Sequence, residues 1–226
     1  MALFNKLGHV LKPDFNKDGK KNNKSAYDEP TLVERFQRRR DITTLGRRVH
    51  YSQSYITQVI QAAIRSCPLV YDVQATRAVI LFGNAHQDFW DLVKDVQRQY
   101  LPERIFNSAA LKIAQCEEGL GTVLFYEDHS VIKTLQKNVP LMADHFPIWS
   151  EQVTGMAQFA VWTALADIGL GATLQHYPAS IDQGVTELFN LDSHWRLKSQ
   201  LVFGSIEGQV EDHVAIQIEQ QFKVFN

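Results

Sequence analysis

The longest helical pattern in the chain runs from Pro147 to Asp167 and is apolar almost all the way round, carrying Trp149, Val153, Met156, Ala157, Ala160, Val161, Ala164 and Leu165. A surface helix of a globular protein needs one apolar stripe, and a helix apolar on every side needs cover on every side. Glu151, Gln152, Gln158 and Asp167 argue against a membrane span. The segment is therefore expected as a central helix or as the contact between two subunits, with its alanines allowing a neighbouring helix close approach.

Strand and helix signals alternate around it. Asp28-Glu-Pro30 places a proline at a first helical position and introduces a helix over Thr31–Arg40. Ser54–Ser66 carries Ile56, Val59, Ile60, Ala63 and Ile64 on one face. Thr76–Gly83 is a continuous apolar run closed by glycine, the signature of a strand buried on both faces. A helix with Phe89, Trp90, Val93 and Val96 on its face follows, then another near Pro102–Glu118. Gly121–Tyr126 reads as a second buried strand, Ser130–Lys137 as a helix, and Gly169–Tyr177 and Trp195–Ile206 as further strands, before a tail from Val214 to Phe225 that ends apolar. This order predicts an α+β (mixed α/β) architecture in which helices flank one central mixed sheet.

With 226 residues, 45% of them hydrophobic, the chain can bury the core of a single domain. Residues 1–30 stand apart as an N-terminal arm. Leu3, Phe4, Leu7, Val10 and Leu11 precede a lysine-rich run, Asn16–Lys24, that offers nothing to a core, so the main domain is expected over 31–226. The formal net charge of −2 gives no basic field, which disfavours nucleic acid and leaves a small or apolar ligand as the expected partner. Cys67 and Cys116 show no CxxC spacing, no stretch reaches the roughly 20 apolar residues of a bilayer span, and the N-terminus lacks a secretory pattern. A cytoplasmic location is expected.

The motif search is mostly negative. Asp14-Phe-Asn-Lys-Asp18-Gly19 copies the first half of a calcium loop, but Ser25 stands where the bidentate glutamate belongs and four lysines surround it. There is no HExxH, GxSxG, GxxxxGKS or GxGxxG, so no metal site is expected and the common hydrolase, P-loop and dinucleotide-fold readings fall away. His176, at the end of a predicted strand, is the one histidine placed where chemistry is plausible; alone it is more often structural.

Read in order, Arg39-Arg40-Asp41-Ile42-Thr43-Thr44-Leu45-Gly46, Pro68-Leu-Val-Tyr-Asp-Val-Gln-Ala-Thr-Arg77, Trp149-Ser-Glu-Gln, Gly171-Ala-Thr-Leu-Gln-His-Tyr177 and the blocks Ala157–Ala166, Phe203–Ile206 and Phe222–Phe225 resemble the nitroreductase superfamily. The similarity is to the short enzymes related to fungal fatty-acid-repression proteins and bacterial copper-induced nitroreductases, from about residue 33 to the C-terminus. The resemblance implies a homodimer, long central helices in contact, and FMN at the interface held by both subunits. It also implies NAD(P)H as electron donor and a nitroaromatic, quinone or similar small-molecule acceptor, with the flavin performing the chemistry and no catalytic side chain required.

The same resemblance assigns the cofactor-binding residues: Arg39, Arg40, Asp41 and Thr43; Pro68, Leu69, Val70, Asp72 and Gln74 reaching the flavin from the partner subunit; and Leu174, Gln175, His176 and Lys223. Several depart from the family pattern. Asp41 replaces a serine donor beside a phosphate, and at about 4 Å and an effective dielectric near 20 each unit-charge repulsion costs roughly 4 kcal/mol before screening. Leu69 and Val73 replace serines, Asp72 an asparagine, and Gln221 an arginine. Arg39, Arg40, Arg47 and Arg48 are the cations placed by sequence to pair with Asp41. Two functions stay open at this level: an FMN-dependent oxidoreductase, or a nitroreductase-fold dimer that has lost its flavin and serves a binding or regulatory role.

Overall fold

The computed structural model describes residues 30–210 and 222–225. The arm expected over 1–30, with its calcium-loop-like Asp14–Gly19, lies outside them except for Pro30, as does most of the tail.

The first helix, α1 (Leu32–Arg38), starts one residue later than Pro30 suggested. Thr31 caps it: its hydroxyl accepts from Glu34 N while Glu34 Oε2 accepts from Thr31 N at 2.7 Å, a reciprocal pair that satisfies two otherwise orphaned donors. Pro30 therefore precedes the cap. β1 (Leu45–Gly46) and α2 (Gln53–Arg65) follow, α2 capped by Ser52 and burying Ile56 and Ile60. Then come β2 (Thr76–Phe82), α3 (Gly83–Tyr100), α4 (Glu103–Glu117), β3 (Gly121–Asp128), α5 (His129–Asn138), α6 (Phe146–Asp167), β4 (Gly171–Gln175), α7 (Asp182–Leu188) and β5 (Trp195–Ile206). The short β1 and α7 carry no signal the periodicity picked out.

β5 is the organising strand. It pairs along one edge with β3, from Trp195↔Asp128 to Phe203↔Gly121, and along the other with β4 and β1; β2 completes the sheet outside β3. All these pairs are antiparallel, and the mixed character of the sheet comes from one parallel bridge, Asp41↔Ala172. Alternation sorts the side chains into two cores. Leu81, Leu124, Tyr126 and Val202 face α3, α4 and α7. Val123, Phe125, Leu201 and Phe203 face α2 and α6. β3 is buried along its whole length. The apolar run of β2, expected to be buried on both faces, is only half-buried from Arg77 to Ile80, because β2 has a single strand neighbour among the described residues.

Helix α6 packs Val153, Ala157, Val161 and Leu165 onto the sheet in an i, i+4 row. Its opposite side is apolar and uncovered in the single chain: Ile148, Met156 and Phe159 are exposed, and a side chain at Gly155 would meet nothing. The helix ends in a Schellman motif, with Gly169 at φ +82° and bonds from Gly169 N to Ala166 O and from Leu170 N to Leu165 O. Only glycine adopts that φ cheaply, and the turn feeds the chain straight into β4. Lys198 sits where the β3–β5 register shifts and bridges Glu127 Oε2 and Glu151 Oε1, each at 2.8 Å, tying α6 to the sheet. No helix among the described residues is long and apolar enough to cross a membrane.

Candidate functional site

The segment after α1 is laid beside β4 by backbone bonds. Ile42 N donates to Ala172 O at 3.0 Å, and the indole Nε1 of Trp162 donates to Arg40 O at 3.1 Å. The parallel bridge of Asp41 to Ala172 sets Thr43 beside Leu174 and leaves Arg39 and Arg40 back towards Leu170, so the arginines and Leu174–His176 lie at opposite ends of this edge. The Arg39 guanidinium lies 4.6 Å from the Trp162 ring centroid and 5.5 Å from that of Phe159. Ring faces attract a cation without neutralising it. No carboxylate pairs with Arg39 among the described residues, and its Nε is buried with no hydrogen-bond partner. A half-buried cation with an unused donor is a ready anion site. α1 is held in place by the edge-on contact of Phe36 with Phe159 and by Arg35 on Asp167.

The neighbouring residues are arranged differently from the sequence expectation. Arg40 Nη1 turns back to Arg39 O at 3.1 Å, Arg47 Nη2 donates to Glu117 O, and Arg48 pairs with Glu207. None of them meets Asp41, because each is claimed by a nearer acceptor. Asp41 is exposed and without an ion pair among the described residues, and it helps burial to push the Cys116 thiol up to about 12. Its field thus falls partly on the α4 side of the sheet. Thr43 is exposed. Leu174 packs into the core under α6, Gln175 Nε2 donates to Thr173 Oγ1 at 2.9 Å, and His176 is exposed. Lys223 is exposed between Phe222 and Val224.

The Pro68–Gln74 segment lies elsewhere, against the start of α6. Val70 and Val73 close a tight turn through Val73 N to Val70 O at 2.9 Å, with Tyr71 and Asp72 at φ +50° and +56°. Asp tolerates this left-handed region better than most residues, whereas a bulky aromatic pays for it. Pro68, Leu69 and Asp72 are exposed; Val70 lines a narrow cleft with Val73, Gln74, Phe146 and Ser150, whose hydroxyl is buried and unpartnered. Gln74 Oε1 accepts from Thr76 N at 3.0 Å, and the Thr76 hydroxyl meets that of Thr154. The sequence marks Trp149 and the Pro68–Arg77 segment but not the gathering of their rings with Phe146 and His145. Trp149 is near-parallel to both Tyr71 and His145, with interplanar angles of 18° and 16°, and Phe146 is edge-on to both Tyr71 and Trp149. Their signal is the spacing on α6: Phe146 and Trp149 under one predicted segment repeat as Phe159 and Trp162 under the other, 13 residues on. At 1.5 Å per residue the two clusters are about 20 Å apart along the helix.

The nitroreductase family model matches residues 38–205, which spans both clusters and the whole sheet. The chain belongs to the nitroreductase family. It is 31% identical over 150 residues to nitroreductase FRM2 of Saccharomyces cerevisiae, covering 66% of this chain and 73% of that protein. It is 33% identical to the putative nitroreductase HBN1 of the same yeast, covering 66% and 74%. Among solved structures, nitroreductase CinD from Lactococcus lactis, in complex with chloramphenicol, superposes with a TM-score of 0.79 at 36% identity, over 87% of this chain and 100% of that one. As a nitroreductase-family chain, the protein is an oxidoreductase by type, and its layered α+β fold is that of the family.

Proposed function

We propose that this protein is an FMN-dependent NAD(P)H oxidoreductase that acts in the cytoplasm as a homodimer and reduces nitroaromatics, quinones or similar flat acceptors. The observation that carries this reading is Arg39, a half-buried cation with no carboxylate partner among the described residues and an unused Nε donor, held on Trp162 and Phe159 beside β4. That environment suits the phosphate of a flavin mononucleotide. Held there, FMN would supply the hydride chemistry that links nicotinamide oxidation to acceptor reduction, with Arg39 positioning its phosphate. Arg40 adjoins Arg39 in the chain, Leu174–His176 lie further along the same side of β4, and Lys223 is the tail cation assigned to the same phosphate by this reading. CinD has been crystallised with 4-nitrophenol and with nicotinic acid as well as chloramphenicol, and that range supports an acceptor site for flat rings.

The dimer is supported by the uncovered apolar side of α6 and by the exposed Phe222, Val224 and Phe225. It also accounts for the 20 Å gap. An isologous pairing of antiparallel α6 helices brings the Pro68–Gln74 turn of one subunit towards the Arg39 edge of the other. A flavin-free dimer is the second reading, favoured by the unpaired Asp41 and the exposed Leu69. Visible absorption of the purified protein and NAD(P)H oxidation with an added quinone separate the two. A yellow dimer with turnover supports the enzyme, and a colourless dimer that refuses added FMN overturns it.

A further inference from the structure

We propose that Tyr71 is a specificity-determining residue of the acceptor site, the outermost ring of a stack that receives a flat aromatic acceptor. This rests on the dimer and acceptor reading above and names the side chain that selects the ring. Tyr71, Trp149 and His145 form an array of near-parallel rings, with centroid separations of 6.1 Å and 5.3 Å. Phe146 stands edge-on at 5.3 Å from Tyr71 and 5.6 Å from Trp149, so these two rings cannot slide freely past each other. Trp149 is already engaged by both neighbours. Tyr71 is 53% exposed, and its ring is the end of the array left open to take one more.

The backbone under it points the same way. Tyr71 is held at φ +50°, a region an aromatic residue enters at a cost, in a two-residue turn whose hydrogen bond and neighbouring Asp72 would be served equally well by asparagine or glycine. A strained conformation that persists at an exposed position marks a side chain whose direction matters. Here the strain presents a large ring where the turn alone needs none. The cleft beneath, walled by Val70, Val73, Phe146 and Val153, is too narrow to take a ring itself, so the stacking surface lies above it. Offset stacking on a tyrosine face favours electron-poor, flat partners such as nitroarenes and quinones over compact inorganic oxidants.

The test uses the full-length protein as purified, with Tyr71→Asn, which keeps the turn, and Tyr71→Phe, which keeps the ring. Equilibrium titration of 4-nitrophenol by calorimetry, without nicotinamide, reads ring binding alone. Tyr71→Asn is expected to weaken it about tenfold and Tyr71→Phe to leave it within twofold of wild type, with all three melting within a few degrees of each other. In turnover, the ratio of kcat/KM for a naphthoquinone to that for hexacyanoferrate(III) is expected to fall about tenfold in Tyr71→Asn, through KM, and to recover in Tyr71→Phe. Undiminished 4-nitrophenol binding by Tyr71→Asn, absent binding by wild type, or equal losses with both acceptors would overturn the assignment. Failure of the underlying reading looks different: wild-type protein without flavin and without nicotinamide oxidation by hexacyanoferrate(III), whatever the titration gives.

Discussion

Acidification should destabilise this protein through one buried histidine. His86, on α3, is 1% exposed and fully bonded: Nε2 lies 3.1 Å from the Glu117 carbonyl, which can only accept, so that nitrogen carries the proton. Nδ1 then accepts from the Thr122 hydroxyl at 2.9 Å, and the Thr122 oxygen accepts from Trp90 Nε1 at 3.0 Å. A second proton has no place in this chain of bonds. Burial, helped by the positive charge of Arg47, holds the imidazole pKa down from 6.5 to about 4. The folded value is depressed, so the stability is present above pH 6.5 and is lost as pH falls towards 4. The full loss is about 3 kcal/mol, of which about 2 kcal/mol is gone by pH 5. Urea unfolding of wild type and His86→Leu at pH 7.5, 6, 5 and 4.5 isolates the contribution. The variant starts lower, by roughly 1–3 kcal/mol for the bonds it abandons, yet from pH 7.5 to 5 it should lose about 2 kcal/mol less than wild type. Parallel pH profiles would refute the reasoning, whatever the absolute stabilities.

Restoring Asp41→Ser and Asp72→Asn together should tighten FMN, by up to about a hundredfold if roughly 3 kcal/mol of repulsion and lost hydrogen bonding is recovered, and the gain should shrink at high salt; calorimetric titration at two ionic strengths checks it, and equal affinities would mean that both carboxylates stand clear of the phosphate. Light scattering should give twice 25.8 kDa for wild type, and Met156→Lys, which sets a charge in the uncovered side of α6, should shift the mass towards monomer at micromolar concentration. Gly204→Ala should cost about 3 kcal/mol or more, because its Cβ would stand 2.2 Å from Gly46 O and 3.0 Å from Leu120 N, both backbone atoms that cannot swing away; a melting temperature within two degrees of wild type would contradict that geometry.

The parts of the fold that were legible are those with a long periodic signal. β5 begins and ends where its pattern predicts, and α6 differs by one residue, because each buries a continuous row of side chains. β1 is two residues long and exists only through pairing with Ser205 and Ile206, a contact no local pattern encodes. The half-burial of β2 escaped for a related reason: Ala78, Val79 and Ile80 are as apolar as a central strand, and only topology makes it an edge. At the site, the arginine pair and the 68–74 turn were visible as residue types in family order. Their supports were not, since Trp162 under Arg39 and Trp149 under Tyr71 are distant in sequence from what they hold. Nor could the sequence say that Arg47 and Arg48 would be taken by Glu117 O and Glu207 and leave Asp41 alone.

Because one uninterrupted helix carries a ring cluster at each end, α6 acts as a ruler for the enzyme. Adding or removing a single residue between Trp149 and Phe159 would change the spacing by only about 1.5 Å but would swing one cluster about 100° round the axis relative to the other. The two clusters would then face different directions, and in the proposed symmetric dimer the fault would appear twice. Inside α6 the chain can thus vary in composition but not in residue count, and the tight turn through Gly169 into β4 carries the same restriction. A relative with an insertion there would need to assemble its site in another way.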